Sequence, residues 1–339
     1  MESSIKRLAI IDYLKAFFII CVILDHTKVM EGWNPFYLFV VRMAVPFFIM
    51  MSGYTFSLCV KENEFRKMYD FNVLLKRFFR FTIPIVITYI GCLVILFLRG
   101  NTLSFSEIMS MFLLGNFGQG GYYYMIMLQF ILVFPLLYQI VYKLEFCGVV
   151  LIGFANFFFE VLCTYYQINK EIYDILIMRY ILLIGLGIWL CLNQNKTIKS
   201  SYLILSLGIG SLYLLLPGYF GYEYRVFTYW SNTSMVVSFL VYPLFYVALK
   251  YFNNLSFCGI IGSVIAQIGK ASYHIMCTQL LWFKIRNRVY GLVIFSCENE
   301  LLKVCFDIFI SVICGIVFCL IDNKIFNKLY CVKKVQIAK

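Results

Sequence analysis

Long apolar runs dominate this chain, and each is close to the length of about 20 residues that a helix needs to cross the core of a bilayer. The 339 residues contain about ten such runs. They lie near residues 8–26, 36–60, 81–98, 122–142, 146–166, 176–192, 202–217, 232–250, 260–283 and 301–321. No other feature constrains the fold as strongly, because a water-soluble protein could not enclose so many continuous apolar segments.

The composition agrees with a membrane protein. Apolar residues make up 62% of the chain and charged residues 14%, whereas a soluble domain has about 45–50% and about 25%. A transmembrane β-barrel would show short segments of alternating apolar and polar residues, and these runs are nearly continuous. We therefore predict an all-α fold, a polytopic bundle of about ten transmembrane helices that forms one membrane-embedded domain over residues 1–339.

The net charge follows from the predicted topology. The chain has 29 Lys and Arg against 17 Asp and Glu, a formal charge of +12, which on a soluble protein would suggest a nucleic-acid partner. Here the basic residues cluster on one side of the predicted bundle, so the positive-inside rule places both termini in the cytoplasm and no nucleic-acid partner is expected. The main exception is Lys284, Arg286 and Arg288, which indicate either an anionic ligand site on the outer side or a wrong span count.

The 13 cysteines do not predict a metal site or a disulfide framework. None forms a Cys-x-x-Cys motif, and most lie inside apolar runs, where a cysteine behaves as a small packing residue. We expect no bound metal.

Ionisable residues interrupt the first apolar run at Asp12, Lys15, Asp25 and His26. Each such group costs about 2.5–3.5 kcal/mol to insert and is a functional candidate for that reason. The eleven steps from Lys15 to His26 make three helical turns plus about 20°, so both residues lie on one face about 16 Å apart, with Asp12 on the same side. The alternative is that Asp12 only pairs with Lys15 and that His26 only lies at the outer interface.

Histidine is the side chain that most often exchanges protons near neutral pH, and this chain has only His26 and His274. Acid–base chemistry would therefore use one of them. His274 is interpreted as a packing residue that hydrogen-bonds a neighbouring helix. The stretch from Arg99 to Gly121 contains four closely spaced glycines and either folds back into the membrane or forms an exposed loop.

A basic cluster precedes the third apolar run. The three-residue spacing of Arg77 and Arg80 puts both guanidinium groups on one face of a helix. Two such groups can grip a phosphate. The alternative is that they only mark the cytoplasmic end of a span.

Four motifs occur in a fixed order along the chain. They are Ile11-Asp12-Tyr13-Leu14-Lys15 with His26, Val45-Pro46-Phe47-Phe48-Ile49-Met50-Met51-Ser52-Gly53-Tyr54, Arg77-x-x-Arg80 with Pro84, and Ile268-Gly269-Lys270-Ala271-Ser272-Tyr273-His274-Ile275. Together they resemble the acyltransferase 3 family of integral membrane O-acyltransferases, which acylate sugars of bacterial surface polysaccharides and related acceptors. The resemblance extends from residue 7 to about residue 282. This chain departs from the family pattern at Lys15, where an arginine is usual, and at Gln279, where many members have a histidine.

The resemblance implies a reaction and a set of roles. The donor substrate would be acetyl-CoA or another acyl-CoA, with its phosphates on Arg77 and Arg80, and no cofactor would be bound permanently. His26 would act as general base on a hydroxyl of a sugar or polysaccharide acceptor, with Lys15 guiding the donor and Asp12 holding Lys15. The protein would lie in a bacterial inner (plasma) membrane.

A secondary transporter is the alternative function. Buried charges on a polytopic bundle also suit a carrier of a sugar or lipid-linked intermediate, in which Asp12, Lys15 and His26 would relay protons. Such carriers often contain internal repeats and paired helix breaks, and this sequence shows neither.

Overall fold

The computed structural model describes residues 9–27, 35–60, 68–222, 224, 227–230, 234–252, 257, 259–292 and 300–336. Within these ranges the chain is almost entirely helical and contains no strand. The α-helices are α1 (Ala9–Thr27), α2 (Ala44–Leu58), α3 (Phe71–Leu98), α4 (Phe105–Leu114), α5 (Tyr122–Tyr165), α6 (Lys170–Ile175), α7 (Ile181–Leu192), α8 (Ser200–Phe220), α9 (Ser238–Tyr251), α10 (Gly259–Lys270), α11 (Ser272–Leu292) and α12 (Glu300–Gln336). A π-helical segment, Tyr37–Val41, precedes α2, and short 3-10 segments, Ile177–Tyr180 and Met235–Val237, precede α7 and α9. The all-α prediction is confirmed.

Five helical stretches of the described chain are long and apolar enough to cross a bilayer on their own. They are Tyr37–Leu58, Phe71–Leu98, Tyr122–Tyr165, Ser200–Pro217 and Glu300–Phe326. The other predicted runs form shorter apolar helices, or, as in α1 and α11, helices that contain several charged residues. The polytopic character is thus supported most directly by these five stretches.

One of the five stretches contains two of the predicted runs. Helix α5 has 44 residues, which at 1.5 Å per residue would extend about 66 Å, twice the thickness of the hydrocarbon core. The backbone of Glu145 is not helical (φ 50°, ψ −127°) and separates two helical halves. These halves correspond to the runs near 122–142 and 146–166, which the sequence predicts as separate helices.

Helix ends follow local capping rules. The Asp70 side chain accepts a hydrogen bond from the backbone N–H of Asn72 at 2.8 Å and starts α3. Ser104 and Glu107 form a capping box at the start of α4, and Gly115, with φ 70°, ends that helix. Both are ordinary sequence signals for a helix boundary.

Helix α7 lies in the centre of the bundle. Ten of its twelve residues are buried, and none of them is charged, as expected for a helix that is apolar on every side. It packs against α2 with the two backbones in close approach: a Cβ on Gly187 would lie 2.4 Å from Met50 O, and one on Gly53 would lie 2.6 Å from Ile184 O. Small residues at such crossings are typical of helix packing in membranes.

Large apolar side chains cover much of the outer surface. Examples are Ile90, Leu98, Leu132, Phe154, Ile204 and Phe309, each more than half exposed. Their number would be a liability in water. On long apolar helices it matches a surface that faces lipid, so the helices indicate a membrane protein.

The α2–α7 crossing yields a stability prediction. Gly187→Val is expected to lower the free energy of unfolding by about 1–3 kcal/mol, because its methyl groups would overlap the α2 backbone. Gly208→Val is the matched control, since nothing lies within 4 Å of a Cβ on Gly208 in α8. Thermal unfolding of the purified proteins in detergent measures both. Equal losses in the two variants would contradict the crossing.

Candidate active site

Helix α1 presents a polar stripe to an internal cavity of about 320 Å³, here called the α1 cavity. Lys15, Ile19, Val22 and His26 form the stripe, at the spacing of residues that share one face of a helix. Residues of α2, α3, α5, α10 and α11 complete the walls. The two ionisable residues that the sequence places on one face therefore face one cavity, Lys15 about 16 Å along the helix from His26.

Asp12 does not line the α1 cavity. It is buried where α1 crosses α10, and a Cβ on Gly269 would lie only 1.9 Å from Asp12 O. Gly269 and Lys270, which follow one another in the last motif, both line the cavity next to this crossing. The structure thus places Asp12 behind the polar stripe.

Arg77 and Arg80 both lie on α3, but they differ in position. Arg80 lines the α1 cavity, and its guanidinium carbon lies 6.0 Å from the centroid of the Phe326 ring. Arg77 stacks on Phe56 of α2 at 5.1 Å, and it is Phe56 that lines the cavity. Arg77 Nη1 is buried and has no hydrogen-bond partner among the described residues. The pair therefore reaches the cavity unequally, with Arg77 one side chain behind Arg80.

The glycine-rich segment 115–121, here called the glycine loop, folds back onto His26. Gly120 has φ 86°, and a Cβ there would lie 3.1 Å from His26 Nε2. Phe117 anchors the loop, because it is buried and stacks on Tyr89 of α3 with ring centroids 4.2 Å apart. The Tyr89 hydroxyl also donates to Gly121 O at 3.3 Å. The fold-back interpretation of this segment is correct, and the exposed-loop interpretation is wrong.

A second cavity of about 400 Å³, here called the loop cavity, opens on the other side of the glycine loop. His26, Asp25, Arg42, Gly120 and Tyr122 line both cavities. The loop cavity adds polar side chains that the α1 cavity lacks, namely Asn116, Gln119, Glu171 and Asp174. His26 therefore lies at the junction of two cavities of different composition.

Asp25 does not orient the His26 ring by a hydrogen bond that the structure shows. Its carboxylate accepts a hydrogen bond from the Tyr37 hydroxyl at 2.8 Å. The Arg42 guanidinium lies over the Tyr37 ring at 5.2 Å. These three residues form a polar group at the edge of both cavities.

Glu160 and Arg179 are buried outside the two cavities. The Tyr173 hydroxyl donates to Glu160 Oε1 at 2.9 Å, and Arg179 Nη1 lies 2.5 Å from Asp174 Oδ1. Arg179 also packs on the ring of Tyr180 at 4.5 Å. The cluster connects α5 to the segment before α7 and places Asp174 at the rim of the loop cavity.

Arg286 belongs to a separate network. Asp307 of α12 is buried and accepts hydrogen bonds from Arg286 Nη1 at 2.8 Å, from Trp282 Nε1 at 2.6 Å and from the Tyr290 hydroxyl at 2.6 Å. Three donors satisfy this carboxylate, so the network braces α11 against α12. Part of the basic cluster that is exceptional in the sequence is thereby neutralised within the protein.

Sequence reasoning missed the position of His274. It lines the α1 cavity, and its Nε2 lies 3.0 Å from Asp322 Oδ2 of α12. The packing interpretation accounts for the hydrogen bond to a neighbouring helix but not for the contact with the cavity. Ser52 lines the cavity too, and its hydroxyl donates to Phe48 O at 2.8 Å.

The comparisons with known proteins give one match. A family model described as an acyltransferase domain matches residues 8–320, nearly the whole chain, and this range contains every residue that lines the two cavities. No curated protein and no solved structure matches the chain.

The contact between the glycine loop and His26 can be tested by substitution. Gly120→Ala is expected to lower the rate of acyl transfer by about 10–100-fold, because the methyl group would displace the His26 ring. Gly100→Ala is the matched control, since Gly100 has a similar φ of 80° but nothing within 4 Å of an added Cβ. Both variants should lose about 1–2 kcal/mol of stability from backbone strain. Unchanged turnover in Gly120→Ala would contradict the contact.

Proposed function

This chain belongs to the acyltransferase 3 family of membrane acyltransferases, and we propose that it transfers an acyl group from acyl-CoA to a hydroxyl of a cell-surface sugar or polysaccharide precursor. Acetyl is the first candidate for the acyl group. The proposal also places the protein in a bacterial inner membrane with both termini in the cytoplasm, in agreement with the distribution of its basic residues.

The position of His26 between two cavities is the observation that carries this proposal. A transferase must bring a donor and an acceptor together at one base, and His26 is accessible from both the α1 cavity and the loop cavity. A base that two substrates approach from opposite sides needs no large movement of either substrate after binding. Proximity of this kind supplies much of the rate in a two-substrate reaction.

The chemistry at His26 is direct acyl transfer. The imidazole accepts the proton of the acceptor hydroxyl while the hydroxyl oxygen bonds to the thioester carbonyl carbon. The carbon–sulfur bond then breaks, and its electron pair leaves with the sulfur of CoA. The products are an O-acyl ester and the CoA thiolate, and His26 returns its proton to the thiolate or to water.

The donor occupies the α1 cavity in this proposal. Lys15, Arg80 and Lys270 line it, and these cationic side chains suit the phosphates of CoA. Arg77, with an unsatisfied Nη1 behind Phe56, adds positive charge at the same end. Lys15 is distant from His26 along α1 and therefore guides the donor, while Asp12 acts as a positioning residue at the α1–α10 crossing.

The acceptor occupies the loop cavity. Its carboxylates Asp25, Glu171 and Asp174 can accept hydrogen bonds from several hydroxyl groups at once, and Asn116 and Gln119 add amide donors and acceptors. Tyr122 provides an aromatic wall. This combination suits a sugar better than an apolar acceptor.

The first test of the proposal is His26→Ala. Loss of the general base should reduce thiol release from acetyl-CoA in membranes by about 10²–10⁴-fold, and the corresponding acyl group should disappear from the surface glycans in mass spectra. The amount of protein in the membrane, measured by immunoblot, controls for folding. Intact acylation in His26→Ala, or movement of a sugar across the membrane without any acyl donor, would favour the transporter interpretation.

Arg80 provides a test of the donor site. Arg80→Ala is expected to raise the KM for acyl-CoA by about 10-fold or more, because a charge-assisted contact to phosphate is lost. Arg99→Ala is the control: Arg99 caps the opposite end of α3 and lines neither cavity. Acyl-pantetheine, which has no nucleotide phosphates, should show almost no difference between wild type and Arg80→Ala. An unchanged KM for acyl-CoA would contradict phosphate binding at Arg80.

A further inference from the structure

The imidazole of His274 is held in the wall of the α1 cavity by a carboxylate from another helix. His274 belongs to the second residue triplet of α11, and its Nε2 hydrogen-bonds Asp322 Oδ2 of α12 at 3.0 Å. Both side chains are about nine-tenths buried. The ring also meets the edge of Phe318 at 5.2 Å with the ring planes perpendicular. Its orientation is therefore fixed from two sides.

The second ring nitrogen is not used by the protein. Nδ1 is buried and has no hydrogen-bond partner among the described residues. The Cys319 thiol faces the ring, but a thiol is a weak partner that leaves most of the hydrogen-bonding capacity of a nitrogen unused. A buried nitrogen without a strong partner is costly unless a ligand or water supplies one. The cavity next to His274 is where such a partner can bind.

The pair lies close to the cationic end of the cavity. The Tyr273 hydroxyl donates to Phe81 O at 2.6 Å and ties the start of α11 to α3 directly after Arg80. The Arg80 guanidinium lies over Phe326, which is one helical turn beyond Asp322 on α12. His274 is therefore a neighbour of the proposed phosphate site, on the wall along which the donor must extend toward His26.

We propose that His274, oriented by Asp322, hydrogen-bonds the pantetheine arm of the acyl donor in the α1 cavity. This inference rests on the proposed function and adds a binding residue to its donor site. Because the carboxylate of Asp322 accepts the Nε2–H, Nδ1 of the neutral ring is a hydrogen-bond acceptor. The pantetheine arm offers two amide N–H groups and a hydroxyl as donors, whereas the ionised phosphates offer none. The arm rather than the nucleotide is thus the matching partner.

The test uses His274→Phe, which keeps a ring and removes the acceptor, and His274→Gln, which keeps an acceptor. His274→Phe is expected to raise the KM for acyl-CoA by about 3–10-fold with kcat nearly unchanged, and His274→Gln should recover part of that loss. Asp322→Ala should give an increase similar to that of His274→Phe, because the ring loses its orientation. Asp307→Ala is the matched control, since it removes another buried carboxylate of α12 that bonds α11 away from the cavity. It should lower stability without changing the KM for the donor.

Acyl-pantetheine separates the two parts of the donor. The His274→Phe defect should persist with this substrate, whereas the Arg80→Ala defect should disappear. A His274→Phe defect that disappears with acyl-pantetheine would overturn the proposal by assigning His274 to the phosphates. A defect in kcat alone, or a KM equal to that of wild type, would overturn it as well.

Failure of the proposed function gives a different result. In that case the wild-type protein neither binds CoA in calorimetry nor releases thiol from acyl-CoA, and no variant can be compared. If the wild type is active, His26→Ala is inactive and His274→Phe has the KM of wild type, only the His274 assignment fails.

Discussion

The cost of placing charge in a bilayer governs this structure. Lys15 and His26 interrupt an apolar helix, and an ionisable group that faced lipid there would cost several kcal/mol. The fold removes this cost by surrounding α1 with α2, α3, α5, α10 and α11, so that the polar stripe faces a cavity instead of hydrocarbon. The close backbone packing of α2 on α7, and of α1 on α10 at Gly269, keeps these walls together. The cavity is thus a consequence of the charges on α1 as much as a container for a substrate.

The glycine loop obeys the same constraint from the backbone. Irregular backbone at membrane depth is tolerated only where it is buried in protein or lines a cavity, and segment 115–121 does both. Phe117 and Tyr89 hold it against α3, and Gly120 reaches His26 because no side chain intervenes. The loop separates the cationic α1 cavity from the loop cavity with its carboxylates. In the proposed reaction, that separation keeps an anionic donor apart from a hydroxyl-rich acceptor until both meet at His26.

The two buried carboxylates of α12 show how similar pairs can have different consequences. Asp307 receives three hydrogen bonds, so every strong acceptor direction is occupied within the protein. Asp322 binds one nitrogen of His274 and leaves the other without a strong partner beside a cavity. The first arrangement braces two helices. The second arrangement braces them and also leaves a binding capacity, which is the physical basis of the donor contact proposed for His274.

The sequence by itself determined the helices, the membrane character and the face of α1 that carries Lys15 and His26. These depend on apolar length and on the 3.6-residue period, and both are local properties of the chain. Only the tertiary structure decided which candidates reach a cavity. Asp12 and Arg77 share faces with Lys15 and Arg80, yet α10 covers Asp12 and Phe56 of α2 stands in front of Arg77. The partners of His26 and His274, Gly120 and Asp322, lie 94 and 48 residues away along the chain. Such contacts arise from helix packing, and no local period of one sequence encodes them.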